Sequence, residues 1–161
     1  GRAAAGYKGL AGACVVRAIA IATGQPYQTV YDAINAAGKG ERPSKRRRGK
    51  STARNGVHRV TYQPYLESLG WVWVPCMKIG SGCKVHLTDG ELPGGRLIVA
   101  VSKHLTAVVD GVVHDTHDPQ RNTMITEDGV TRFAGRCVYG FYRPPCKVCN
   151  GTGTERVPGG E

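Results

Sequence analysis

The sequence predicts an α+β domain in which helices come first and an antiparallel sheet follows. Three observations carry this. Before residue 70, three stretches read as helices, and each is closed by a glycine: Gly24, Gly38 and Gly70. After that point the apolar residues gather in short runs of strand character. Between two of those runs sits Asp110-Gly111, the dipeptide favoured in a two-residue hairpin turn.

Each element has its own reason. Ala13 to Gly24 is filled with Ala, Ile and Val, and Arg17 is its only charged residue. A helix apolar nearly all round belongs inside a domain. In the next stretch Pro26 suits a first helical position and Gly38 a C-terminal cap. Tyr27, Val30, Tyr31 and Ile34 form one apolar stripe between them. Val60 to Leu69 places Tyr62, Tyr65, Leu66 and Leu69 on one helical face. Trp71 to Val74 alternates like a strand and stops at Pro75. Cys76 to Gly95 is irregular, with Gly-rich turns. Arg96 to Val101 reads as a buried strand, Leu105 to Val109 and Val112 to Thr116 as the two arms of the hairpin, and Arg136 to Arg143 as a last strand.

A chain of 161 residues, 40% hydrophobic, is enough for one domain with a real core. The expected division is 1–143 for that domain and 144–161 for a tail. No apolar run approaches the roughly 20 residues needed to cross a bilayer. Residues 1–12 contain no hydrophobic segment of the kind a secretory leader needs. A cytoplasmic protein with no membrane partner is therefore expected, and the six cysteines are expected to be mostly reduced thiols. The net charge of +10 points to an acidic partner.

Candidate chemistry begins at Cys14, on the first turn of the apolar helix. Free backbone N–H groups and the positive end of the helix dipole meet there and favour a thiolate. Taken alone, the position fits a small buried hydrophobe better. The hairpin supplies the other groups. With Asp110 and Gly111 as the turn, Thr106 faces Asp115 and His104 faces His117, so His104 and Asp115 are diagonal neighbours on one sheet face. A carboxylate beside a histidine fixes its tautomer and keeps it basic. Asp118 faces Lys103 and points the other way.

A Cys opening a buried N-terminal helix, a His starting a strand 90 residues later, and an Asp on the partner strand make a pattern similar to papain-like cysteine peptidases. The residues that carry it are Cys14-Val15-Val16-Arg17-Ala18, Lys103-His104-Leu105-Thr106-Ala107-Val108-Val109-Asp110-Gly111 and His114-Asp115-Thr116-His117-Asp118-Pro119. They resemble most the bacterial branch that cleaves double-glycine leaders, and the small proteins of this type carried by bacteria and their phages. The resemblance covers residues 7–143. It implies a papain-like fold, no cofactor for catalysis, a peptide or protein substrate, and a bacterial cell or phage particle as the setting. It also implies roles. Cys14 attacks as thiolate, His104 moves the proton, and Asp115 or Asp118 orients the imidazole. Hairpin parity favours Asp115, whereas the family's Asp-Pro pair favours Asp118. The family's oxyanion-hole Gln is replaced here by Lys8, which leaves open a catalytically weak module that keeps the fold for binding.

Two further stretches carry candidate sites. Residues 39–55 hold Lys45, Arg46, Arg47, Arg48 and Lys50 in a Gly-, Pro- and Ser-containing loop that lacks the apolar residues to order itself. It suits phosphate contacts with nucleic acid, or an acidic protein, without base stacking. The tail contains Cys146-Lys147-Val148-Cys149-Asn150-Gly151-Thr152-Gly153, which looks like one repeat of the zinc-binding region of J-domain co-chaperones. Cys146 and Cys149 are its candidate Zn2+ ligands. Completing a four-ligand site would call on Cys137, Cys76, Cys83, His86 or a second chain.

Overall fold

Helix α1 (Cys14–Thr23) is the packing centre of the computed structural model, which describes residues 3–8, 12–42, 44–47, 49–121 and 123–145. Val15, Val16, Ala18, Ile19 and Ala22 are buried along it. Full burial of Val16 and Ile19 contributes roughly 1.5–3 kcal/mol each. Gly24 ends the helix in the left-handed conformation (φ 75°), and its N–H reaches the Ala20 carbonyl at 3.0 Å. Helix α2 (Tyr27–Lys39) lays Tyr27, Val30 and Ile34 against this core. Pro26 stands just outside α2 as its N-cap. Gly38 lies within the helix, because a Cβ there would strike the Ser51 carbonyl oxygen of the following loop. Helix α3 (Arg59–Ser68) adds Tyr62 and Leu66 to the same core.

The main sheet is antiparallel, in the order β1-β7-β2-β3-β4. Its strands are β1 (Val72–Pro75), β2 (Arg96–Val101), β3 (His104–Val109), β4 (Val112–His114) and β7 (Gly140–Arg143). One face, with Ile98, Ala100, Leu105, Ala107 and Tyr142, packs on α1. The other, with Leu97, Val99, Val101, Val108 and Phe141, packs under Leu87 and Val138. Cover on both sides explains why Leu97-Ile98-Val99 is apolar without alternation. The register pairs Ala107 with His114 and Val109 with Val112, around an Asp110-Gly111 turn with φ of 49° and 81°. That is the arrangement the dipeptide calls for. The molecule is thus α+β, with helices on one face of an antiparallel sheet.

Three expectations change. A second ribbon, β5 (Thr123–Glu127) with β6 (Val130–Ala134), turns at Asp128-Gly129 and was not anticipated. Residues 136–138 do not extend the last strand. They pair with residues 85–87 instead, through Leu87 N–H to the Arg136 carbonyl at 2.7 Å and Val138 N–H to the Val85 carbonyl at 2.8 Å. That pairing brings Cys83 and Cys137 to a Cα separation of 5.7 Å, and they form a disulfide. Cys14 and Cys76 are free thiols, so the expectation of reduced cysteines fails for Cys83 and Cys137.

The basic stretch is also more organised than its composition predicts. Glu41 is buried, and its Oε2 accepts the Ser51 N–H at 2.8 Å and the Thr61 hydroxyl at 3.1 Å. Its Oε1 lies 3.3 Å from Arg47 Nε. Burial would raise the Glu41 pKa, but the bonds from Ser51 and Thr61 and the nearby His58 hold it below the usual carboxylate range. One carboxylate therefore does what apolar residues could not, and fastens both ends of the loop to α3. Among the described residues, no helix is long and apolar enough to cross a membrane.

Candidate active site

Cys14 opens α1 without help from its neighbour, since Ala13 has no side chain to cap the helix. The first N–H groups therefore stay available beside the sulfur. Gly12, two residues earlier, lies close to the Arg54 and Asn55 backbone, and a Cβ there would sit 3.4 Å from Asn55. Across the sheet, the β2–β3 hairpin pairs Val101 with His104, so His104 is the first residue of β3. The turn residue Lys103 takes a left-handed φ of 55°. Contact of α1 with β3 brings the start of the helix to the start of the strand.

There a row of polar groups forms. The Cys14 thiol lies beside the His104 side chain and the backbone N–H of Leu105, and both draw it toward the thiolate. His104 Nε2 lies 2.6 Å from Asp115 Oδ2. That leaves the other ring nitrogen, Nδ1, for the sulfur. The Asp115 side chain is only 3% exposed, and its Oδ1 accepts the Thr116 N–H at 2.7 Å. Arg17 completes the row from one helical turn beyond Cys14, with its terminal nitrogen 3.3 Å from Asp115 Oδ1.

The electrostatics follow from these contacts. Burial alone would push the Cys14 thiol up. The bonds from His104 and Leu105 and the charges of His104 and Arg17 outweigh it, and the thiol is held below its ordinary value. His104 is raised to about 9, first by its bond to Asp115 and then by its bond to Cys14. Burial would raise Asp115, but the bonds from His104 and Thr116, the nearby Thr106 hydroxyl and the His104 charge together outweigh it and hold it well below the usual carboxylate range. Both shifts run in the direction of a thiolate beside an imidazolium.

The structure brings together Cys14, His104 and Asp115 and leaves Asp118 apart. Asp118 Oδ1 accepts the Gln120 N–H at 2.9 Å and so closes its own loop. The Asp-Pro pair is here a turn device, and of the two carboxylates Asp115 is the one bonded to His104. His117 stacks near His104 with ring centroids 5.2 Å apart, although the paired part of the hairpin ends at His114. Lys8 is exposed, and the preceding Tyr7 stacks on Tyr31 at 4.7 Å and donates to Gln28. An open pocket of about 460 Å3 adjoins the carboxylate end of the row, lined by Val112, Val113, Asp115, His117 and Gln120 among others.

Arg17 is the site residue that sequence reasoning did not assign. The signal was present: a lone charge on an apolar helix, three residues after the nucleophile candidate, falls on the same helical face.

The remaining candidates separate. Lys45 and Arg46 are exposed on the loop. Arg47 is turned inward to Glu41 and the Arg42 carbonyl, and Lys50 donates to the Lys39 carbonyl at the end of α2. Arg48, Cys146 and Cys149 lie outside the described residues. Cys83 and Cys137 are engaged with each other, and His86 Nδ1 is held 3.1 Å from Glu91. The two sulfurs are therefore not free to complete a tetrahedral zinc site. Among the described residues, no three metal-ligating side chains gather. Comparison of the chain with protein-family models, with curated proteins and with solved structures finds no match.

Proposed function

We propose that the protein is a cysteine peptidase or amidase of papain-like type, acting by acyl transfer through Cys14, His104 and Asp115. The observation that carries this reading is one imidazole, His104, set between the Cys14 sulfur and the Asp115 carboxylate, 2.6 Å from the latter.

In this reading the Cys14 thiolate attacks a substrate carbonyl carbon, and the carbonyl oxygen takes the negative charge. The Cys14 backbone N–H, free at the uncapped start of α1, donates to that oxygen. The His104 imidazolium gives its proton to the leaving amine, and a thioester remains on Cys14. His104, now neutral, takes a proton from water. The resulting hydroxide equivalent attacks the thioester, and the acid is released as the thiol is restored. Asp115 stays ionised throughout and holds the imidazole in line. Lys8 stands in sequence where the second oxyanion donor of papain-like peptidases is expected.

Incubation with a proteome-derived peptide library tests this. New peptide termini are expected with the wild-type protein and absent with Cys14→Ala. Identical termini from both proteins would remove the reading.

A second reading is favoured by one observation: Lys45 and Arg46 stand exposed on a loop whose base is pinned by Glu41. A papain-like module could present that loop to a polyanion such as nucleic acid. Its binding is expected to weaken steeply with salt, and salt-insensitive binding would count against it.

A further inference from the structure

Resting on the reading of Cys14 as a nucleophile, we propose that Arg17 is a positioning residue whose partly buried charge makes the thiolate–imidazolium pair the resting state of the site.

The case begins with charge. With Cys14, His104 and Asp115 all ionised, the row carries one net negative charge. Arg17 brings it to zero. A guanidinium remains charged at every pH where a thiol or imidazole titrates, so this compensation does not switch off. Its placement is specific. The Arg17 side chain is 15% exposed, and one terminal nitrogen meets Asp115 Oδ1 at 3.3 Å, leaving Oδ2 for His104. Arg17 and Cys14 are three residues apart on α1, so the same cation faces both negative groups.

The site also bears a cost for this residue. The Arg17 Nε is buried without a hydrogen-bond partner, and an unmet buried donor is unfavourable. A buried ion pair is in general no more stabilising than a well-packed apolar pair. An apolar side chain would therefore serve packing in the middle of α1 at least as well. What it would not do is offset the charge of Asp115 and Cys14.

Other groups facing the sulfur do not take over this part. His104 on β3 is the proton carrier itself. Tyr62 on α3 would raise the thiol if it ionised, but burial first and its neighbour Tyr142 second push it up to about 12. His117 is 57% exposed, and its ring nitrogen stands 4.0 Å from Asp115 Oδ1. The lowered Cys14 pKa includes an attraction to Arg17.

The test reads the thiol directly and needs no substrate. The rate of alkylation of Cys14 by iodoacetamide is followed from pH 4 to 10 by mass spectrometry of the peptide that contains it. In Arg17→Gln the inflection is expected to rise by about one pH unit, and the rate at pH 6 to fall roughly tenfold. Arg17→Lys, which keeps a buried cation, is expected to stay within about 0.3 unit of wild type. A purely structural role would instead lower the melting temperature of both variants and leave the inflection in place. Should Arg17→Gln fail to fold, Asp115→Asn and Asp115→Asn/Arg17→Gln repeat the comparison without an unpaired buried carboxylate, and the same rise is expected between them. An unchanged inflection in either comparison overturns the role of Arg17 alone. A wild-type inflection at the ordinary thiol value overturns the nucleophile reading, and this inference with it.

Discussion

At Cys14 the thiol is lowered by three neighbours, His104, Leu105 and Arg17, and not by anything in the residue itself. Cys76 is the internal contrast. It has no comparable partner, and burial alone pushes its thiol up to about 11. The two free thiols should therefore react in opposite pH ranges. Below neutrality Cys14 is expected to be alkylated faster than Cys76 by at least about tenfold, as peptide mapping would show. The two carboxylates make a second contrast. Asp115→Asn removes the acceptor for His104 and is expected to lower hydrolysis about 100-fold or more, whereas Asp118→Asn is expected to stay within about twofold of wild type. Equal losses would mean that the loop rearranges around substrate. The pH dependence has a definite sign. Activity should rise as pH climbs through the lowered Cys14 pKa and fall as His104 loses its proton near 9. Because His104 is raised from 6.5, its contribution to stability is complete below that value and fades as pH passes about 9. Asp115, being lowered, contributes above 3.8 and loses its effect only in stronger acid. His104→Asn should flatten the alkaline part of a urea-midpoint profile.

Among the elements, the hairpin was the most legible in sequence. Asp110-Gly111 fixes a turn, the turn fixes a register, and the register puts Asp115 beside His104. Local chemistry decides all three steps. The same dipeptide at Asp128-Gly129, between Thr123–Glu127 and Val130–Ala134, carried an equal signal for β5 and β6 that the reading passed over. Gly38 misled for a different reason. Its signature is that of a helix stop, yet what requires glycine is the Ser51 carbonyl passing over α2, a contact no local pattern encodes. The basic loop misled because its order comes from one buried acid. Glu41→Ala removes the acceptor of Ser51 and Thr61 and is expected to destabilise the protein by about 2 kcal/mol. Limited proteolysis would then cut between α2 and α3 first. Loop cleavage at the wild-type rate would show that the anchor is elsewhere.

Over the whole molecule, the disulfide was the least legible feature. Cys83 and Cys137 are 54 residues apart, and nothing near either one names the other. They meet because two irregular segments cross the far face of the sheet in register, which only the assembled fold determines. Closing a loop of that length contributes roughly 3–4 kcal/mol through the unfolded chain. The Cys83→Ser/Cys137→Ser variant is expected to melt about 6–15 °C lower than wild type. A melting temperature unaffected by the substitution would mean that the crossing is held by Leu87 and Val138 alone. None of the row's hydrogen bonds or ion pairs involves Cys83 or Cys137, so this variant should keep the pH profile of Cys14 alkylation. The central claim, that folding makes Cys14 a nucleophile through His104, is tested most directly by one mass measurement. The protein is treated near pH 6.5 with a peptide carrying an electrophilic vinyl sulfone, and adducts are mapped. A single adduct on Cys14 that forms at least about 100-fold more slowly in His104→Ala is the expected result. Labelling of Cys14 at the same rate in both proteins, or no faster than Cys76, would contradict it.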